Sequence, residues 1–578
     1  MAKKQRVVTL PFDLDSLNQW GQGNAKYDNW PSVYTLNDSK KIYVGESGGL
    51  KSRFQQHKKH PDKKKLIQAN LLIEETFNKS ACLDLESHLI RYFAADAQFD
   101  VLNLNSGISE ADYYNRPEYK TIFDDIFEEL HAKGFLKRSV PELINSLLFK
   151  YSPFKSLTAD QELAVSDMLE TLISDSGSKK KQRLVVSGDP GTGKTIVAVY
   201  LMKLLADIQQ MDPREALDDN SRFVEFFLGD NAKALKKYKK IALLVPQQSL
   251  RETLKLVFAS TPGLNTDMVI SPFDLGKSEV KYDLVVVDES HRLQVRNNQA
   301  SGPNNKLFKD INLRLFGRDD PAFNQLDWIT KLSKNQILFL DPIQTVFNGD
   351  LPLSLVENVV ETAANENRLQ KLQSQLRLLA GDNYIDYVTD MLKLEPVNQP
   401  MDFGSYEFVL YDNFVEMRND ILDKDKIHGL GRVLAGYAWE WVSKKNPSKP
   451  DIEIEGLELF WNRAEKDWVN SETSPEEVGS IHVIQGYDLN FAGVVIGKEL
   501  TFNPQTQKIE FEMNNYFDKR GRRRNIAAQN YSFGNDHFLW LMQNIYRVLL
   551  TRGIKGTYVY VCDEALREEL RKYFINVR

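Results

Sequence analysis

Gly188-Asp189-Pro190-Gly191-Thr192-Gly193-Lys194-Thr195 is the stretch that decides the fold of this chain. Its spacing is G-x-x-x-x-G-K-T, with the apolar run Leu184-Val185-Val186 before it and a helical pattern after it. In that setting backbone N–H groups wrap phosphates, Lys194 reaches the β and γ oxygens, and the Thr195 hydroxyl joins a Mg²⁺ ion. A chance glycine loop would not need a strand before it and a helix behind it. Downstream, the apolar run Leu284-Val285-Val286-Val287 leads into Asp288-Glu289-Ser290-His291. A carboxylate at that point suits a magnesium shell (Asp288), and its neighbour Glu289 suits the polarising of an attacking water. Further apolar runs at residues 241–245 and 337–340 alternate with helical segments, as buried parallel strands require. Residues 493–497 and 557–561 imply a second sheet of the same kind. The expected fold class is therefore α/β.

The 578 residues are too many for one core, so three or four domains are expected. With 74 basic and 80 acidic residues the net charge is −6, so any nucleic-acid surface must be local. The two cysteines, Cys82 and Cys562, lie far apart in apolar stretches and read as buried thiols of a reducing compartment. No apolar run is long enough to span a bilayer, and the charged start of the chain lacks a signal core. A soluble cytoplasmic protein with no membrane partner is expected.

Upstream of the loop, residues 32–45 read as two short strands around the turn Asn37-Asp38-Ser39. Residues 49–60 read as a helix and 71–77 as a third strand. Residues 81–95 carry Leu85, Leu89, Tyr92 and Phe93 at helical spacing. Residues 110–151 look helical and polar, a linker or bridging helix pair, and the charged stretch 212–240 looks like a surface insertion. These features divide the chain into a small α+β domain (1–108), a helical linker (109–151), and two α/β domains (152–352 and 353–578).

The second half of the chain resembles the superfamily 1 helicases, in particular a bacterial group related to the helicase-like part of Schlafen proteins. Leu157-Thr158-Ala159-Asp160-Gln161 is similar to the adenine-reading motif, with Gln161 as the reader. Residues 245–250 resemble the segment that contacts a single strand's backbone. Leu340-Asp341-Pro342-Ile343-Gln344 resembles the motif whose glutamine, Gln344, senses the γ-phosphate, and Ser374-Gln375-Leu376-Arg377 the motif supplying Arg377. Residues 480–488, with Gln485 and Gly486, resemble T-x-H-x-x-Q-G-x-E with serine and aspartate at its ends. Tyr546-Arg547-Val548-Leu549-Leu550-Thr551-Arg552-Gly553 resembles the last motif and assigns a second arginine finger to Arg552. The resemblance implies two RecA-like domains with ATP between them, and a cleft whose closing changes the grip on a strand. Plain alternatives stand beside two of these residues: a salt bridge for Arg552, and an ordinary helix-start glutamine for Gln161.

Residues 30–107 resemble the GIY-YIG nucleases. Ser32-Val33-Tyr34 stands for the first motif, Tyr43-Val44-Gly45 for the second, with Arg53 and His57 on the next helix and Glu86 on a later one. Near the end of this segment Asn103 fits the family's asparagine best, with Asn105 second. The resemblance implies that Glu86 holds one hydrated Mg²⁺, with Mn²⁺ as a substitute, and that Arg53 grips the scissile phosphate. Tyr34, hydrogen-bonded to Tyr43 or His57, would orient or deprotonate the attacking water. Taken singly, such residues are more often packing or solvated surface.

Lys51, Arg53, Lys58, Lys59, Lys63, Lys64 and Lys65 cluster beside this proposed nuclease site. Arg520, Arg522, Arg523 and Arg524 form a second basic group, and Lys179, Lys180, Lys181 and Arg183 a third. Such runs are either phosphate-binding tracts or solvated faces. Together these features lead to the expectation of an ATP-driven translocase coupled to a metal-dependent endonuclease. Its expected partner is DNA with a single-stranded region, in the setting of defence against foreign DNA, with oligomer or accessory protein left open. Two rivals remain: a nucleotide-gated switch, and a motor carrying a binding module that does not cut.

Overall fold

The structure, a computed structural model, describes residues 6–27, 29–103, 113–154, 157–210, 223–296, 302–341, 349–372, 379–381, 383–464, 468–484, 487–518 and 534–578. It is mixed α/β with two parallel sheets. The chain divides into two compact units. One comprises Met1–Gly177, Thr195–Lys239 and Glu252–Val269; the other comprises Ser178–Lys194, Lys240–Arg251 and Ile270–Arg578.

The first unit begins with strands β1 (Val7–Pro11), β2 (Ser32–Asn37), β3 (Lys41–Ser47), β4 (Gln68–Leu72) and β5 (Asp100–Val101), ordered β1-β4-β2-β3-β5. β2 and β3 form an antiparallel hairpin, and Asp38 closes its turn by accepting from the N–H groups of Lys40 and Lys41 at 2.7 Å. Every residue of β2 is buried, so the sheet is covered on both faces. Helix Leu50–Lys59 lies against one side, and helix Lys79–Asp96, capped by Asn78, against the other. The strand expected at 71–77 lies earlier, at β4, and β1 with the helix Leu14–Gly23 adds to the expected elements.

Residues 113–154, which overlap the stretch expected to be a helical linker or bridging helix pair, pack against the N-terminal domain. Helix Arg116–Ala132 carries Tyr119, Phe123, Ile126, Phe127 and Leu130 on one stripe, and these pack with Leu85, Leu89 and Tyr92 in a single core. The polar composition belongs to the helix's outer face, while the apolar stripe at three- and four-residue spacing is what docks it. Arg6 ties this helix to the sheet by bonding Glu74 at 2.8 Å and Asp125 at 2.6 Å. The expected surface insertion also needs correcting. Residues 211–222 lie outside the described residues, but Phe223, Phe226, Phe227, Leu235 and Tyr238 are buried. The Tyr238 hydroxyl donates to Leu172 O at 2.6 Å, so this stretch is packed.

The first of the two parallel sheets holds β6 (Gln182–Gly188), β7 (Ile241–Leu244), β8 (Val269–Ile270), β9 (Tyr282–Val287), β10 (Ser333–Leu340) and β11 (Leu369–Leu372), ordered β11-β6-β10-β9-β7-β8. β11 pairs with β6, so this sheet extends past the boundary expected at 352. The short, half-buried edge strand Leu-Gln-Lys-Leu lacks the apolar run that marks the central strands. The remaining strands are β12 (Glu407–Tyr411), β13 (Gly431–Ala435), β14 (Ile452–Ile454), β15 (Leu457–Leu459), β16 (Val478–Ser480), β17 (Leu489–Ile496), β18 (Leu500–Asn503), β19 (Lys508–Phe511), β20 (Gly553–Val561) and β21 (Asn576–Val577). Six of them form a parallel sheet ordered β16-β13-β17-β20-β12-β21; β14–β15 and β18–β19 are separate antiparallel hairpins. Among the described residues no helix is long and apolar enough to cross a membrane. Cys82 is buried as expected, whereas Cys562 is half-buried.

Candidate functional site

β6 ends at Gly188, and the loop that follows returns into helix Lys194–Gln210. Gly191 and Gly193 hold φ of 92° and 79°, a left-handed backbone open to glycine and strained for other residues. A Cβ on Gly188 would stand 2.6 Å from the Thr192 hydroxyl, which itself donates to Asp189 O at 2.9 Å. The Lys194 ammonium is buried in this loop, donating to Gly188 O at 2.6 Å and Asp189 O at 2.9 Å. It also lies 3.8 Å from Asp341 Oδ2, at the end of β10. Thr195 is half-buried in the first turn of the helix.

Asp288 follows β9 and is fully buried; its Oδ1 accepts from Glu289 N at 3.0 Å. Glu289 adopts φ 50°, a strained value for a non-glycine residue of the kind that gathers at functional sites. His291 Nε2 lies 3.3 Å from the Glu289 carboxylate and Arg292 Nε 3.9 Å. Burial pushes the Glu289 carboxyl up, but His291 and then Arg292 outweigh it and hold it below the usual carboxylate range. Asp341 N donates to His291 Nδ1 at 3.2 Å, so one imidazole links the ends of β9 and β10. These carboxylates all stand at the carboxyl edge of the sheet, where open α/β sheets bind ligands.

Asp341 and Arg547 belong to this cluster and escaped the sequence reading. Arg547, on helix Asn535–Leu550, is buried; burial lowers its tendency to hold a proton, and Asp341, Asp189 and Asp386 oppose that. Burial, and then the neighbouring Asp341, raises Asp189 in turn. Arg552, the expected finger, donates to Tyr487 O at 3.2 Å and lies 4.0 Å from Asp488. Gln161 is buried at the start of helix Ala159–Asp175, where its Oε1 accepts from Thr158 N at 3.1 Å in a capping box. Gln344, Arg377, Gln485, Gly486, Asn105 and the arginines 520 and 522–524 lie outside the described residues. The one sign of Asp341 in the sequence is its position after β10, matching that of Asp288 after β9.

In the first unit, Tyr34 on β2 and Tyr43 on β3 share one face of the sheet, because Tyr34 pairs with Gly45 and Leu36 with Tyr43. Gly45 leaves room for the Tyr34 ring: a Cβ there would stand 2.5 Å from the Tyr34 hydroxyl. That hydroxyl lies 2.6 Å from His57 Nε2, one of its two expected partners. Arg53 and His57, one helical turn apart, face the two tyrosines. Burial, reinforced by Lys63 and Arg53, pushes His57 down to about 3, so its imidazole is neutral and Nε2 can accept a hydrogen bond from the Tyr34 hydroxyl. Burial, and then Tyr43, raises the Tyr34 phenol well above its ordinary value. A neutral phenol of this kind suits orienting a water better than deprotonating one.

Glu86 is half-buried on helix Lys79–Asp96, and its charge is felt at Tyr34. Arg53 is also half-buried; burial pulls its guanidinium down, and the Tyr34 and Tyr43 hydroxyls more than restore it. Asn103 has another task. Its Oδ1 accepts from Val44 N at 2.9 Å and its Nδ2 donates to Val44 O at 2.8 Å, which pins β3 next to Tyr43. Both ends of the amide are engaged there, so Asn103 positions the strand.

Among the described residues no group of three or more His, Cys, Asp and Glu side chains could hold a metal ion. The donors present fit Mg²⁺, which keeps much of its water and takes one or two carboxylates. Asp288 and Asp341 are buried carboxylates beside the loop, and Glu86 is a single accessible carboxylate beside Arg53 and the tyrosines.

A glycine loop closing on a buried lysine, with carboxylates after two neighbouring parallel strands, is the arrangement of a P-loop nucleotide-binding protein. The chain belongs to the Schlafen group 3, DNA/RNA helicase domain family, which matches residues 181–563. It is 25% identical over 447 residues to uncharacterized protein YPL245W of Saccharomyces cerevisiae, covering 72% of this chain and 90% of that protein. The likeness is therefore not confined to bacteria. Among solved structures, the arterivirus nonstructural protein 10 (helicase) is 12% identical with a TM-score of 0.28, covering 70% of this chain and 64% of that one, under two thirds of its length. The Pif1 helicase from Bacteroides in complex with ADP-AlF3 and ssDNA is 9% identical with a TM-score of 0.24, covering 70% and 92%. TM-scores this low carry no further weight.

Proposed function

We propose that the chain is an ATP-driven nucleic-acid motor of the superfamily 1 helicase kind, coupled to a metal-dependent endonuclease of the GIY-YIG kind. The observation that carries the motor reading is the buried Lys194 ammonium, held by the loop carbonyls and 3.8 Å from Asp341. Two RecA-like domains, at about 152–352 and 353–578, would each contribute to the ATP cleft. The loop N–H groups and Lys194 would hold the β and γ phosphates, with Gln161 reading adenine and Gln344 sensing the γ-phosphate. Glu289, kept ionised, would orient the attacking water by accepting its hydrogen bond. Arg377 and Arg552 would neutralise charge on the transferring group, and Gln485 and Gly486 would join nucleotide state to the grip on a strand. Asp288 and Thr195 at the motor, and Glu86 at the N-terminal site, would hold Mg²⁺. When bound, that ion supplies charge neutralisation at phosphate oxygens. Arg53 would grip the scissile phosphate of DNA, and Tyr34 would orient the water.

A second reading is favoured by the complete burial of Tyr34. Its hydroxyl faces His57 and Gly45, so the N-terminal domain could bind branched DNA without cutting it. One assay separates these readings: ATP hydrolysis and nicking measured with Mg²⁺ or Mn²⁺ on single-stranded, duplex and forked DNA. Lys194→Ala should lower hydrolysis by about 10²–10³-fold or more, as loss of a phosphate-stabilising donor does. Glu86→Ala should abolish nicking and spare hydrolysis. Absence of nicks on every substrate would establish the binding module. Hydrolysis that no DNA stimulates would point to a nucleotide-gated switch, and nicking of long DNA that survives Lys194→Ala would remove the coupling.

A further inference from the structure

Glu499 lies fully buried just past β17, outside the set of groups assigned to the nucleotide. Its Oε1 accepts from the Tyr546 hydroxyl, and that hydroxyl accepts from Gly497 N at 2.9 Å. Its Oε2 is buried with no hydrogen-bond partner. Two glycines make the room. A Cβ on Gly436 would stand 2.3 Å from Oε1 and 2.4 Å from the Tyr546 hydroxyl, and one on Gly497 would stand 2.3 Å from Oε2. An apolar side chain would fill this space at less cost than an acid with half its bonding capacity unused. The acid therefore calls for a reason other than packing.

That reason lies one residue along the helix. Tyr546 is followed by Arg547, whose charge is balanced by Asp341, Asp189 and Asp386. Consecutive helical side chains point about 100° apart, so pinning Tyr546 to the end of β17 fixes the helix's rotation and the direction of Arg547. The same helix is held elsewhere by Tyr384 donating to Leu550 O at 3.0 Å and Gln543 donating to Leu392 O at 2.8 Å. The Glu499 bond falls on the turn that carries the arginine.

Resting on the motor reading above, we infer that Glu499, acting through Tyr546, is a positioning residue that aims Arg547 at the bound nucleotide's phosphates. Arg547 then joins Lys194 as a buried cation that meets the polyphosphate, and the Glu499–Tyr546 bond sets how firmly it is aimed. Burial pushes Glu499 up to about 7, so it ionises near neutral pH. The titratable groups facing it are Tyr546 and, past β20, the Cys562 thiol; Lys498 beside it is exposed, and the Tyr437 hydroxyl turns away to Ser480. Ionised, the carboxylate makes a charge-assisted bond, which is stronger than the bond of the neutral acid.

The test measures ATP hydrolysis by the full chain from about pH 6 to about pH 8.5, with kcat and KM separated. Wild type, Lys194→Ala, Arg547→Lys, Tyr546→Phe and Glu499→Gln are compared, each checked by its melting curve. Arg547→Lys should lower kcat by about 100-fold, the scale on which a displacement of about 1 Å acts. Tyr546→Phe should lower it by about tenfold with KM for ATP little changed. Wild-type kcat should rise with pH through neutrality, while Glu499→Gln should stay at the wild type's low-pH rate throughout. If Tyr546→Phe fails to fold, the Glu499→Gln profile decides alone. Wild-type hydrolysis that Lys194→Ala removes but Glu499→Gln leaves unchanged in rate and pH profile would overturn the inference alone. A wild type that neither hydrolyses ATP nor binds a non-hydrolysable analogue would overturn the motor reading and this inference with it.

Discussion

The two sites of this chain treat charge in opposite ways. Around the glycine loop charged groups are themselves buried and answer one another: Lys194 with Asp341, and Arg547 with Asp341. At the N-terminal site the buried groups are neutral, the Tyr34 phenol and the His57 imidazole, and the charged Arg53 and Glu86 stay half exposed. Burying a charge is costly unless it is matched, so a site full of matched charges is prepared for a small, highly charged ligand enclosed on all sides. Neutral buried groups beneath half-exposed ones suit a phosphate that arrives along a surface and leaves again.

The largest way to break this contrast is to remove the neutral site's packing. Gly45→Ala would drive a Cβ to within 2.5 Å of the Tyr34 hydroxyl, and that ring is fully buried with nowhere to retreat. Overpacking of this kind costs about 1–3 kcal/mol. The variant should melt at a lower temperature and lose the Tyr34–His57 bond, and with it any nicking, while ATP hydrolysis is kept. A melting curve and nicking rate equal to wild type would mean that the tyrosine pair is not held as tightly as the contacts require.

How much of this contrast is legible in the sequence depends on the range of the interaction that creates it. The glycine loop is legible because its chemistry is local: eight consecutive residues carry the turn, the ammonium and the hydroxyl. β6, β9 and β10 are legible because strands buried on both faces read as unbroken apolar runs. Helix Arg116–Ala132 reads as a linker because its composition is polar, although Phe123, Ile126, Phe127 and Leu130 mark a buried stripe. Asp341, Arg547 and the strand-pinning role of Asn103 are not legible, since each acquires its meaning from a partner far away in the chain. Spacing cannot report which carboxylate an arginine meets.

A smaller test sets the two regions against each other by pH. His57 is held near 3 against an ordinary value of 6.5, so as pH falls below about 6.5 the unfolded chain gains a proton that the folded site refuses. Stability is lost there toward acid. Glu499 is held near 7 against an ordinary 4.5, so between those values the folded chain binds the extra proton. Stability is gained there toward acid. Between about pH 7.5 and about pH 5.5 each effect amounts to roughly 1–2 kcal/mol, in opposite directions. Denaturant titrations of His57→Gln and Glu499→Gln should therefore shift the pH slope of stability in opposite senses, the first removing an acid loss and the second an acid gain. Equal slopes in both variants and in wild type would mean that neither group is buried as described.

The smallest test asks whether the N-terminal site borrows charge from its surface. The Lys63 ammonium stands 3.7 Å from the centre of the Tyr43 ring, and after burial it is the largest influence holding His57 neutral. A cation at that distance from a ring contributes about 0.5–1 kcal/mol when exposed. Lys63→Ala should therefore lower stability by less than about 1 kcal/mol and let the His57 value rise, read by imidazole titration in NMR. If DNA crosses this face, the same change should also lower the salt dependence of binding by about 0.9 in the slope of log K against log salt, one phosphate contact's share. An unchanged salt slope with a raised His57 value would leave Lys63 as an electrostatic support for the buried pair. It would then take Lys63 out of the DNA path.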